Sequence, residues 1–254
     1  MDDAPVTLPL GADLRPVPQG WARLPRWVAA LQVVLVCGIP TQLFVATALV
    51  ISGVSVNPTH VSLEFFATLS LFDTALIALL IRLFLSLSGE TSRDVFIGAK
   101  PVGREAWLGA ALLPGVFVVI AGVIYGLRTL LPWLHNVPES PLAGYMNTPL
   151  DAAIFTVVVV LAGGVREELA RAFILHRFEQ RLGGARVGLV VFSLAFGALH
   201  LTQGFDAALA VGLLGLLWGV LYLRRGSVVA SMVNHAGFDA AQVLQVVVAR
   251  MLSS

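Results

Sequence analysis

The chain has 254 residues, of which 57% are hydrophobic and only 12% charged. That is too apolar and too sparsely charged for a soluble globular domain, and it points to a polytopic membrane protein. A formal net charge of +1, with no basic cluster interleaved with aromatics, gives no field suited to DNA or RNA, and the single cysteine, Cys37, cannot form an internal disulfide.

Residues 1–25 mix acids, prolines and glycines without a cleavable apolar core, so they read as a flexible cytoplasmic tail rather than a signal peptide. Residues 26–254 read as one transmembrane helical domain. Apolar runs long enough to cross about 30 Å of hydrocarbon lie near 27–51, 63–88, 106–131, 150–176, 187–201, 206–223 and 228–250. The expected fold is therefore all-α, a bundle of seven helices, or eight if Gly163-Gly164 breaks the fourth run. Pro40 should kink the first span. The connection 89–105 reads as an element at headgroup level, and Trp107, Trp133 and Tyr145 near span ends fit interfacial anchoring.

The loops alternate in charge. Arg15, Arg23 and Arg26 precede span one, Arg93, Lys100 and Arg104 follow span two, Arg177, Arg181 and Arg186 follow span four, and Arg224 and Arg225 follow span six. The intervening loops carry no lysine or arginine. By the positive-inside rule the amino terminus and the basic loops are cytoplasmic, with Arg250 as a mild dissent.

An ionisable side chain inside bilayer hydrocarbon costs about 3 kcal/mol on insertion scales, so several on successive spans suggest a polar site. In VREELARAFILHRFEQRL, Arg171 lies one helical turn from both Glu167 and Glu168. One glutamate can be ion-paired while the other is free for general acid/base work, although a solvated cytoplasmic face would read the same way. His200 follows Phe196 by one turn. His235 and Asp239 share a face of the last span, where Asp239 could fix the tautomer of His235 and the pair could serve an oxyanion. Each, taken alone, also fits a structural hydrogen bond. Asp73 and Glu64 in span two read first as interhelical hydrogen-bonding residues, Arg82 and Arg128 as snorkelling cations, and His176 as a headgroup contact. His60 and His135 carry no partner signature.

In combination these groups have a distinctive order. Phe196-Gly-Ala-Leu-His200 and His235-Ala-Gly-Phe-Asp239 follow a Glu-Glu-Arg cluster, and over roughly 150–250 the chain resembles the CPBP family, the CAAX protease and bacteriocin-processing intramembrane glutamic proteases, also known as Abi or CAAX prenyl protease 2-like. The family's motifs are Glu-Glu-x-x-x-Arg, Phe-x-x-x-His and His-x-x-x-Asn/Asp. Here Glu167-Glu168-Leu-Ala-Arg171 has one residue too few before the arginine. Matching on the arginine puts Arg166 at the first glutamate position and Glu167 at the second; matching on the glutamates puts Glu167 first and Glu168 second.

Glu167 occupies a glutamate position either way and is the expected base, with Glu168 the alternative. The resemblance implies that a glutamate, with His200, activates a water that attacks a peptide carbonyl. His235 and Asp239 would stabilise the oxyanion, Arg171 would position the glutamates, and Phe196 would support His200. It implies no metal cofactor; two histidines and a carboxylate would suit zinc or another divalent ion as the alternative. Expected partners are the lipid bilayer and a membrane-embedded or membrane-anchored protein or peptide, with no nucleic acid. The expected location is a bacterial inner membrane. The alternative from another class is a transporter or scaffold with a buried polar ligand site.

Overall fold

A computed structural model describes residues 24–54 and 61–253, and every regular element among them is helical. The expected tail lies almost wholly outside the described residues, as does His60. The α-helices are α1 (Arg26–Val36), α2 (Ile39–Ile51), α3 (Leu63–Leu87), α4 (Val102–Leu130), α5 (Pro149–Val159), α6 (Glu168–Arg181), α7 (Ala185–Ala198), α8 (Phe205–Arg225) and α9 (Val229–Ser253). A π-helical segment, Val160–Glu167, joins α5 to α6.

By length and composition α3, α4, the continuous Pro149–Arg181 rod and α8 can each cross a membrane, and α1 with α2 makes a fifth span if the bent pair is one crossing. The 14 residues of α7 rise only about 21 Å. The 25-residue α9 is long enough, but Asn234, His235 and Asp239 make it more polar. These elements account for all seven runs expected from the sequence.

The first span breaks where a kink was expected. Gly38 takes φ +96, a left-handed conformation that a side chain would strain, and the two halves meet at 50°. Pro40 then falls in the first turn of α2, where its missing N–H is no loss. Elsewhere local chemistry sets the boundaries. Ser62 caps α3 by accepting from the Phe65 N–H, and Thr148 and Asp151 form a reciprocal capping box ahead of α5, with Pro149 in its first turn.

The bundle buries polar and charged groups among apolar cores and is apolar on its outer surface as well. Asp73, Glu105, Glu168, Arg171, Arg177, Asp206, Asn234 and His235 are buried, while Ile51, Trp107, Tyr125 and Leu252 lie exposed on the outer surface. That distribution suits lipid, where helices associate through close packing and internal hydrogen bonds rather than by hiding apolar surface. Small residues make the closest approaches. A Cβ on Gly197 would lie 2.7 Å from the Ala208 carbonyl oxygen, so α7 and α8 touch backbone to backbone.

The connection 89–105 is largely exposed, as expected of a surface element, but it is anchored to the bundle. Its π-turn, Arg93–Ile97, buries Val95 and Phe96, and their carbonyls accept from Tyr222 Oη (3.1 Å) and the Val228 N–H (2.8 Å). Glu90, just before it, meets His176 and Arg177. The guanidinium of Arg177 is fully buried and also donates to Gln32 (2.6 Å) and Gln180 (2.9 Å), so two residues that read as solvated charge tie α6 to α1 and the end of α3. At the opposite end Arg128 and His135 share Asp206, so neither is an isolated side chain. Arg250 donates to the Met146 and Ala143 carbonyls, so it caps the loop before α5 instead of facing a basic side.

Candidate functional site

The π-helical segment places the first motif. Gly163 and Gly164 allow the wide turn to press on α9: a Cβ on Gly164 would meet Ala236 Cα at 2.7 Å, and one on Gly163 would overlap the Asp239 carboxylate. Wide turns of this kind re-aim side chains relative to a 3.6-residue helix, and this one ends at Glu167. The shortened Glu-Glu-x-x-Arg spacing thus coincides with the change of helical pitch.

The two glutamates have different surroundings. Glu168 is buried, and its Oε1 accepts from both Arg171 Nη1 and His235 Nδ1, the latter at 2.9 Å. Because a carboxylate only accepts, this arrangement puts the His235 proton on Nδ1. Glu167 keeps 21% of its side chain exposed, with Oε1 3.2 Å from Arg166 Nη2 and Oε2 3.9 Å from His235 Nε2. Arg171 therefore makes its hydrogen-bonded ion pair with Glu168. Its guanidinium is enclosed by the rings of Phe192, Phe196 and Trp218 at 4.9, 5.1 and 5.6 Å.

Helix α9 supplies the other side. His235 Nε2 faces Asp239 Oδ2 at 3.5 Å, and its ring stacks on Trp218 with centroids 3.7 Å apart. Trp218 is fixed in turn: its Nε1–H donates to Asn234 Oδ1 (2.8 Å), and the Asn234 amide donates to the Gly109 carbonyl (2.9 Å). This chain holds the imidazole by packing on one face and by Glu168 at Nδ1, leaving Nε2 directed between Glu167 and Asp239.

His200 closes α7. Its Nδ1 bonds to the Phe196 carbonyl at 2.8 Å, and Phe196 contacts both histidine rings, His200 at 4.9 Å and His235 at 6.3 Å. The structure thus brings Glu167, Glu168, His235, Asp239 and Arg171 into direct contact, and His200 joins them through Phe196. Four further residues belong to the cluster: Asp73, Arg166, Trp218 and Asn234. Asp73, buried at mid-helix in α3, pairs with Arg166; a carboxylate in a lipid-spanning run was its only sequence signal. Nothing local marks Trp218 as the partner of a histidine 17 positions later. Among the described residues no group of three or more His, Cys, Asp or Glu side chains is arranged to hold a metal ion.

The two glycines should separate function from packing. Gly163→Ala meets only the end of a side chain, so Asp239 can swing away, and cleavage should fall about tenfold with little change in melting temperature. Gly164→Ala meets backbone and should cost about 1–3 kcal/mol as the helices part. Activity assays and thermal unfolding of the two purified variants check the contrast. Equal effects on stability would show that Gly163 is also a packing residue.

Comparison with known proteins bears on the same helices. Residues 149–241, from the start of α5 into α9, match the family described as type II CAAX prenyl endopeptidase Rce1-like. No curated protein and no solved structure matches the chain. The matched stretch contains Glu167, His200, His235 and Asp239. Residues 149–241 are thus similar to the Rce1-like prenyl endopeptidases, and they lie in a chain with four, or up to five, helices long and apolar enough to cross a membrane.

Proposed function

We propose that the chain hydrolyses peptide bonds of membrane-embedded or membrane-anchored substrates, with Glu167 as the base that activates water. The observation that carries this assignment is the asymmetry of the glutamates: Glu167 is reachable, whereas both Arg171 and His235 engage the buried Glu168. Glu167, assisted by His200, takes a proton from water as the oxygen attacks the scissile carbonyl carbon. The oxyanion forms beside His235 and Asp239. The C–N bond then breaks, the proton held by Glu167 passes to the leaving nitrogen, and the products are a carboxylate and an amine.

His235 donates from Nε2 only when its ring carries a second proton, since Glu168 takes Nδ1. Asp239 donates only when protonated, or it acts by holding that Nε2 proton. No metal enters these steps. An internally quenched farnesylated CAAX peptide, incubated with purified protein in proteoliposomes, tests the reading. Cleavage that survives chelators supports it; cleavage abolished by chelator and restored by zinc would replace the glutamate mechanism with a metal one. No cleavage of prenylated or unprenylated peptides would favour the transporter or scaffold alternative.

The alternation of basic and uncharged loops supports a cytoplasmic amino terminus, with residues 1–25 as a tail to the helical domain. In a Cys37→Ser background, a membrane-impermeant thiol reagent applied from outside intact cells should label a cysteine at Glu139 and not one at Ala99. The reverse pattern would invert the topology.

A further inference from the structure

Asp73 lies outside the three sequence motifs and comes from α3, outside residues 149–241, while Arg166 stands where the arginine-anchored match to the first motif expects a glutamate. Arg166 has three anchors. Its Nη1 pairs with Asp73 Oδ2, its Nε donates to the Ala162 carbonyl at 3.2 Å, and its Nη2 donates to Glu167 Oε1 at 3.2 Å. Asp73 is wholly buried and its Oδ1 has no partner, so this carboxylate is committed to Arg166. Removing it would leave a guanidinium in the membrane interior with a single carboxylate partner, Glu167.

We propose that Asp73 and Arg166 form a positioning pair for Glu167. This inference rests on Glu167 being the base. Arg166 occupies Oε1, so Oε2 is the oxygen left toward His235 and the attacking water, and Asp73 keeps Arg166 from swinging fully onto Glu167 and quenching it as an acceptor. The wide turn makes this possible, because its geometry lets adjacent Arg166 and Glu167 address a common space between α3 and α9. The pair therefore extends the machinery to a helix that the motif reading does not include.

The test separates positioning from a merely structural ion pair. With the farnesylated CAAX peptide in proteoliposomes, Arg166→Gln should lower kcat about a hundredfold and Asp73→Asn about tenfold, each leaving KM within about twofold. The double variant should lose no more than Arg166→Gln alone. The swap Asp73→Arg with Arg166→Asp retains an ion pair, so it should melt near the wild-type temperature and still be inactive, because a carboxylate now adjoins Glu167. An active swap would overturn the proposal, as would an unchanged kcat in folded Asp73→Asn. Glu167→Gln in the same assay distinguishes the levels: if it is inactive and the swap is active, positioning alone fails, whereas an active Glu167→Gln removes the base assignment and the pair's role with it.

Discussion

Replacing His235 with alanine should lower cleavage by two to three orders of magnitude, about 3–4 kcal/mol in barrier. The structure adds a complication, because the buried ring stacks on Trp218 and bonds to Glu168. Truncation would therefore open a cavity and cost about 2–4 kcal/mol of stability as well. His235→Phe keeps the stack while removing both nitrogens, so it should be as inactive as the alanine variant yet melt higher. His200→Ala should also be inactive, but with a smaller stability loss: His200 is only partly buried and its ring bonds to the carbonyl four residues earlier, in α7. Steady-state cleavage with thermal unfolding of the same preparations separates the two effects. Full activity in any folded variant would remove that histidine from the mechanism.

Helix content was legible because lipid imposes one rule, that backbone groups be satisfied within the segment, and apolar runs of sufficient length follow directly. The motif residues were legible for the opposite reason: charges in such runs are conspicuous. What escaped the sequence is the pairing between them. Arg177 reads as part of a solvated run with Glu179 and Arg181, and its burial depends on Glu90, 87 positions earlier. Asp73 and Arg166 are 93 positions apart, and no periodicity connects them. The wide turn at Val160–Glu167 escaped because facing was inferred with 3.6 residues per turn, which misplaces side chains wherever the pitch changes. Gly163-Gly164 did mark the place, but a break and a wide turn leave the same local signature.

Glu167→Gln should be nearly inactive, down about 10²- to 10³-fold, while melting close to wild type. The amide preserves size and can still accept from Arg166, but it cannot take a proton from water, and the side chain is exposed enough that losing its charge is tolerated. Glu168→Gln should show the reverse balance. Its carbonyl can still accept from His235, so cleavage should stay within about tenfold of wild type, but Arg171 loses the carboxylate beside it in a fully buried site where two of its nitrogens already lack partners. Breaking a buried ion pair by neutralising one member costs about 3–5 kcal/mol, so this variant should unfold at a markedly lower temperature. Measuring both quantities on both variants tests the assignment from two directions. An active, stable Glu167→Gln beside an inactive Glu168→Gln would transfer the base to Glu168 and select the glutamate-anchored match to the family motif shifted by one position. Two active variants would exclude a glutamate base altogether.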